Sequence, residues 1–76
     1  MKTMQTDLAV DQYNWELLLE YHPIWAEAIE KDVKAGVRPD DIRRAVYRKT
    51  QKRDLAVKAE SAALYIERGL KGELVN

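Results

Sequence analysis

The chain has 76 residues, with 13 basic and 13 acidic side chains, so its formal net charge is zero. It has no cysteine and a single histidine, which excludes disulfide bonds and the usual zinc sites of Cys and His. A zero net charge gives the whole molecule no general attraction to nucleic acid or to an anionic membrane. A chain of this length predicts one domain, 1–76, that buries only about 60% of its unfolded surface, so efficient helix packing or self-association must stabilise it.

The location of the protein is predicted from its apolar segments. The N-terminal sequence has no apolar run of the length found in signal peptides, and no segment approaches the ~20 apolar residues that cross a bilayer. We therefore expect a cytoplasmic protein that does not bind membranes. Residues 1–5 and 70–76 are predicted to be frayed tails.

The first predicted helix begins after Thr6, a suitable N-cap, and continues to Tyr21 without Gly or Pro. Its apolar residues form two adjacent rows, one of Val10, Tyr13, Leu17 and Tyr21 and the other of Leu8, Trp15 and Leu18. An apolar surface this broad is wider than a contact with one neighbouring helix would bury. The helix is therefore expected to contact two neighbours or a second subunit.

Prolines and a glycine define the next two helices. Pro23 is predicted to open the second helix, because proline is favoured in the first helical turn. Gly36 is predicted to end it, because glycine takes the left-handed conformation without steric cost. Pro39 then opens the third helix, with Asp40 and Asp41 in its first turn, where negative charge is favourable.

The segment 39–68 is consistent with one helix or two. No Gly or Pro interrupts it, which favours one long, bent helix that reaches into another subunit. However, the apolar direction set by Ile42 and Val46 differs by more than a right angle from that of Leu55 and the residues after it. We predict a break near Thr50, which can cap the following helix.

The last helix carries an apolar face of small residues, namely Ala56, Ala59, Ala62 and Ala63. Small side chains allow a neighbouring helix to approach closely. The larger apolar side chains, including Trp15 and Trp25, lie in the first two helices and are expected to pack against this face. The predicted fold is an all-α bundle of three to four helices.

Positive charge is concentrated in the middle of the chain. Residues 38–53 carry seven basic and two acidic side chains, whereas residues 1–37 carry three basic and seven acidic ones. Guanidinium groups bind phosphate oxygens bidentately and tyrosine can stack on a base, so this region suits a phosphate backbone. The alternative is a charged face paired with acidic side chains of this chain or of a second copy. The candidate residues for binding a polyanion or another partner are Arg43, Arg44, Tyr47, Arg48, Lys49, Lys52 and Arg53.

Residues 28–49 resemble a helix-turn-helix motif. The Ala-Gly-Val sequence of 35–37, followed by Ile42, resembles the turn of the motif and the start of its recognition helix. This resemblance implies DNA binding through the third helix. The sequence departs from the motif at Asp32, where a small residue is usual, and at 40–41, where two carboxylates would repel phosphate.

Catalytic residues are not indicated. Ser61 lies in the middle of a predicted helix, and His22 precedes a proline at a helix junction, so no nucleophile–base pair can be named. We expect no enzymatic activity, no cofactor and no metal. The first functional hypothesis is a helical interaction or adaptor protein that binds itself as a homodimer, or binds an acidic macromolecule. Its candidate self-association residues are Leu8, Trp15, Leu18, Ala59 and Ala62.

The alternative hypothesis is a nucleic-acid-associated protein that uses the basic third helix. The arrangement of the basic side chains distinguishes the two hypotheses. Basic groups that point together into solvent favour nucleic acid. Basic groups paired with carboxylates of the first half favour the interaction module, and these carboxylates are Glu16, Glu20, Glu27 and Glu30.

Overall fold

A computed structural model describes residues 2–72, and their side chains from residue 9 onward. Within this range the chain forms four helices and no strand: α1 (Lys2–Tyr21), α2 (Pro23–Lys34), α3 (Pro39–Thr50) and α4 (Arg53–Leu70). The predicted all-α bundle is therefore confirmed, with four helices. Helix α1 begins before the predicted N-cap, Thr6. The side chains of Thr6 and Leu8 lie outside the described residues. Of the predicted tail at 70–76, Leu70 is the last residue of α4, and 73–76 lie outside the described residues.

Helix α4 is the centre of the bundle. It packs against all three other helices, most extensively against α1 and α3. Its alanine face is confirmed as the packing surface, because each of the four alanines is at most 2% exposed. The larger core side chains come from the other helices and are Leu18, Ile29, Val33, Ile42 and Val46. Trp15 and Trp25 pack against this core, which includes the alanine face, and remain partly exposed.

The end of α2 has a Schellman arrangement. Gly36 has a φ of 97°, in the left-handed region. Its N–H donates to the carbonyl of Val33 at 3.0 Å, and the N–H of Val37 donates to the carbonyl of Asp32 at 2.9 Å. These two hydrogen bonds satisfy carbonyls that the helix end would leave free. The predicted glycine stop is confirmed, and α2 and α3 both begin at their predicted prolines.

The chain reverses between α3 and α4. Gln51 has a φ of 59°, which breaks the helical path. The hydroxyl of Thr50 donates to the carbonyl of Val46 at 2.8 Å and accepts the N–H of Lys52 at 3.1 Å. The predicted break near Thr50 is confirmed, so the alternative of one long helix is wrong. The predicted capping role was wrong in detail, because Lys52 is the N-cap of α4 and Thr50 closes α3.

A buried polar network joins α1 to α4. Asp11 and Ser61 are 7% and 8% exposed. The Ser61 hydroxyl donates to the Asp11 carboxylate and accepts the Asn14 amide at 3.0 Å, and Arg68 lies 3.5 Å from the second oxygen of that carboxylate. The sequence reasoning missed this network. The available signal was that Asp11 and Asn14 fall on the same side of α1 as Leu18, which is buried.

Candidate functional site

A groove of about 740 Å³ separates α3 from α4. Because only two residues connect these helices, they run side by side in opposite directions, and each contributes one wall. The lining residues are Arg43, Arg44, Tyr47, Arg48, Gln51, Arg53, Ala56, Val57 and Glu60. The structure therefore brings together five of the seven residues predicted to bind a polyanion. The other two, Lys49 and Lys52, lie outside the lining of this groove.

The cations in the N-terminal half of α3 form ion pairs with nearby carboxylates. The guanidinium of Arg44 lies 3.8 Å from Asp40 and 3.5 Å from Asp41. The guanidinium of Arg43 lies 3.1 Å from Glu60, on the opposite wall of the groove. Arg44 was among the residues predicted to bind a polyanion. Its carboxylate neighbours lie three and four residues earlier on the same helix, so its charge is balanced locally.

The cations at the C-terminal half of α3 and the start of α4 have a different environment. Their side chains are exposed, and no carboxylate of the described residues lies within 4.0 Å of them. These residues are Arg48, Lys49, Lys52 and Arg53. Among the described residues, these four unpaired cations therefore lie close together in sequence, around the turn between α3 and α4.

The acidic side chains of the first half do not pair with these cations. Glu30 pairs with Lys34 at 3.4 Å, on its own helix. Glu16, Glu20 and Glu27 are exposed and take part in none of the ion pairs formed by the described side chains. The alternative in which the basic middle pairs with the acidic front is therefore not found among the described side chains of one copy.

The middle of the groove is apolar. Tyr47 on α3 and Val57 on α4 are 42% and 50% exposed, although both are large apolar side chains. The ion pair between Arg43 and Glu60 fixes the relative position of the two helices at one end of the groove. One turn further along each helix, Tyr47 lies level with Val57, and the next turn reaches Gln51. The groove thus presents an aromatic ring between an ion pair and a set of free cations.

A second groove, of about 530 Å³, lies between the C-terminal end of α1 and the start of α4. Its lining includes Leu17, Tyr21, His22, Lys52, Arg53 and Lys58. Arg53 lines both grooves. The second groove is lined by three cations, Lys52, Arg53 and Lys58, and by one carboxylate, that of Asp54, so positive charge is in excess around the start of α4. His22 is the N-cap of α2, but its side chain makes no capping hydrogen bond.

The helix-turn-helix resemblance at 28–49 agrees with the order of elements, since α2, a turn and α3 occupy this range. Asp32 is exposed and does not provide the small packed residue of the motif. A recognition helix contacts bases mainly with its N-terminal residues. At that end of α3 the charges of Asp40, Asp41 and Arg44 are paired with one another, which favours the groove over the helix start as a binding surface.

The predicted self-association residues lie mostly inside the bundle. Leu18, Ala59 and Ala62 are at most 1% exposed, because α1 and α4 pack against each other within the same chain. Trp15 is partly buried against the core, and the side chain of Leu8 is outside the described residues. Their burial removes Leu18, Ala59 and Ala62 from the predicted surface, while self-association itself stays a prediction.

A different row of α1 is exposed. Val10, Tyr13 and Tyr21 are 48%, 61% and 66% exposed, and Leu17 lies between them at intermediate burial. Their spacing of three or four residues places them on one helix face. This is the first of the two rows seen in the sequence, and no other helix of the described chain covers it.

Other chemistry is sparse in the described part of the chain. Its side chains contain no group of three or more His, Asp or Glu placed to hold a metal ion. Among the helices of residues 2–72, none combines the length and the apolar character that a bilayer crossing requires.

Comparison of the chain with family models, with curated proteins and with solved structures finds no match.

Sequence reasoning missed part of the groove lining, including all of the α4 wall except Arg53. Gln51, Ala56, Val57 and Glu60 line the groove, but none was among the predicted binding residues. Val57 offered a signal, because it falls off the alanine stripe of α4 and is therefore directed away from the core. Glu60 could be recognised only once α3 was known to fold back along α4.

Proposed function

We propose that the chain is a non-enzymatic cytoplasmic binding module that holds the phosphate backbone of a nucleic acid on the cationic groove between α3 and α4. The observation that carries this proposal is that two exposed guanidiniums line the groove, those of Arg48 and Arg53, with no carboxylate of the described residues within 4.0 Å. Lys52 lies beside Arg53 in the adjoining groove and is likewise unpaired among the described residues. Arg48 and Arg53 lie on opposite walls, so one phosphate chain can contact both.

The zero net charge does not oppose this proposal. At physiological ionic strength the Debye length is about 8 Å, so a bound phosphate responds mainly to the charges of the groove and its rim. Each phosphate neutralised by Lys or Arg releases condensed counterions, which makes binding favourable and dependent on salt. Guanidinium groups add bidentate hydrogen bonds to phosphate oxygens.

The test is the salt dependence of nucleic-acid binding, measured by fluorescence anisotropy with labelled single-stranded and duplex oligonucleotides. The double variant Arg48→Ala/Arg53→Ala removes two free cations of the groove. The matched control Lys31→Ala/Lys34→Ala removes the same charge from α2, where neither lysine lines the groove. We expect the slope of log K against log salt to fall by about 1.4–1.8 in the groove variant, from about 0.7–0.9 per phosphate contact.

In the control variant we expect the slope to remain close to that of the unmodified chain. Equal weakening in both variants would show that binding responds only to net charge and would contradict a groove-specific site. No binding of any oligonucleotide at low salt would refute the proposal entirely. Circular dichroism of each variant establishes that the helices remain folded.

Self-association is the second candidate function, and the exposed row of α1 favours it. Val10, Tyr13, Leu17 and Tyr21 form an apolar helix face that the described part of the chain leaves uncovered. Contiguous exposed apolar surface of this kind is typical of protein–protein contacts. A homodimer formed through α1 would leave the α3–α4 groove open, because none of these four residues lines it.

Light scattering coupled to size exclusion tests this candidate. We expect a dimer at high protein concentration that the variant Tyr13→Glu converts to monomer. The control variant Ile24→Glu places the same charge on α2, at a side chain that is 81% exposed and outside the row. A chain that remains monomeric at high concentration, or a dimer that survives Tyr13→Glu, would eliminate this face as the interface.

A further inference from the structure

The groove contains a feature that phosphate binding alone does not require. Tyr47 is 42% exposed and lies between the ion pair of Arg43 with Glu60 and the free cations at the other end. Across the groove, Val57 is 50% exposed and provides an aliphatic surface. Part of the Tyr47 side chain is therefore accessible to a ligand in the groove.

We infer that the groove selects single-stranded nucleic acid and that one unpaired base stacks on the ring of Tyr47, opposite Val57. This inference rests on the proposed function and specifies its ligand. Stacking on an aromatic side chain flanked by cations is the usual way in which proteins hold single strands without reading their sequence. The volume of about 740 Å³ lies within the range of about 300–1,000 Å³ that accommodates a ligand the size of one nucleotide.

The shape and the charges of α3 disfavour a duplex. A duplex is read by a convex element that enters the major groove, commonly through the N-terminal residues of a helix. At that end of α3, Asp40 and Asp41 would face the phosphates, and the guanidiniums beside them, those of Arg38 and Arg44, are already paired with these carboxylates. The unpaired cations instead border a concave groove, in which a duplex cannot present a base face because its bases are stacked and paired.

The path of the strand follows from the same residues. Arg48 and Arg53 border the end of the groove beyond Tyr47, so the phosphate that follows the stacked base lies near them. Arg53 also lines the second groove, where Lys52 and Lys58 lie. A single strand is flexible enough to turn around the start of α4 and contact both grooves, whereas a duplex is too stiff to bend over so short a distance.

The experiment compares a labelled single strand of about 15 nucleotides with a duplex of equal length, using the intact chain and the variants Tyr47→Ala and Tyr47→Phe. We expect tighter binding of the single strand. Tyr47→Ala should weaken that binding by about 5- to 150-fold, whereas Tyr47→Phe, which keeps the ring, should bind within about threefold of the unmodified chain. Ile24→Ala, at an 81% exposed apolar side chain of α2 that lines neither groove, is the control and should leave affinity unchanged.

The salt slope separates stacking from charge. Because stacking releases no counterions, Tyr47→Ala should retain the slope of the unmodified chain, whereas Arg48→Ala should lower it by about 0.7. Tighter binding of the duplex, or an unchanged single-strand affinity in Tyr47→Ala, would overturn the inference and leave the proposed phosphate binding standing. Absence of binding to both oligonucleotides at low salt would instead refute the proposed function, and the inference with it.

Discussion

Removal of the Ser61 hydroxyl tests whether the buried polar network holds α1 on α4. Ser61 is 8% exposed, and its hydroxyl both donates to Asp11 and accepts from Asn14. A hydrogen bond to a charged group contributes about 1.5–3 kcal/mol to stability. Alanine favours the helix over serine by up to about 0.5 kcal/mol, which offsets part of the loss. We expect Ser61→Ala to lower the free energy of unfolding by about 1–2.5 kcal/mol.

This loss is large for so small a domain. At about 0.05–0.15 kcal/mol per residue, the total stability is about 4–11 kcal/mol. In domains of this size, each kcal/mol lowers the melting temperature by about 4–8 °C. Thermal unfolding followed by circular dichroism should therefore show a melting temperature about 4–20 °C lower, and urea unfolding should show a lower midpoint with an unchanged slope.

A double-mutant cycle with Asp11→Ala isolates the interaction itself. The helix-propensity change of Ser61→Ala is the same with and without the Asp11 carboxylate, so it cancels from the coupling energy. We expect a coupling of at least about 1 kcal/mol, since the two side chains are buried and in direct contact. A coupling below about 0.3 kcal/mol would refute the reasoning and would assign any destabilisation to Ser61 packing alone.

Two further predictions concern packing and backbone conformation. Ala62 is fully buried, so Ala62→Leu should overpack the interface of α4 and lower the free energy of unfolding in urea by about 1–3 kcal/mol. Val57→Leu, at an exposed site of the same helix, should change it by no more than about 0.5 kcal/mol. Equal effects of the two variants would contradict the burial of Ala62. Gly36→Ala should destabilise by about 1–2 kcal/mol because φ is 97°, although no atom lies within 4 Å of the added carbon. Gly69→Ala, inside α4, should instead stabilise by up to about 1 kcal/mol, and the same sign at both glycines would contradict the left-handed conformation.

The helix boundaries could be predicted from the sequence because their causes are local. Pro23 and Pro39 set the first turns of α2 and α3, and Gly36 takes the conformation that ends α2. The break after Thr50 had no such marker. It was predicted because the apolar residues change direction between the two segments. In the structure the helical path ends at that point, where Gln51 has a left-handed conformation.

The network and the groove could not be predicted because their causes are nonlocal. Asp11 and Ser61 are 50 residues apart, and only the packing of α1 against α4 brings them into contact. Three of the five predicted self-association residues, Leu18, Ala59 and Ala62, are buried for a related reason. An apolar row on a helix is the same in sequence whether its partner is another helix of the chain or a second copy, so Leu18 and Ala62 were placed at a surface although they form the core.

The position of α4 in the chain has a consequence for biosynthesis. Translation releases the chain from its N-terminus, at about 5–20 residues per second, so α1, α2 and α3 leave the ribosome before their common packing partner. The contacts of α3 with α4 are close in sequence and can form as soon as α4 emerges. Those of α1 span about 50 residues and carry a larger loop-closure cost, so α1 docks only after α4 is available. Until then Leu18 and Ile29, which are fully buried in the bundle, are exposed to chaperones and to other nascent chains.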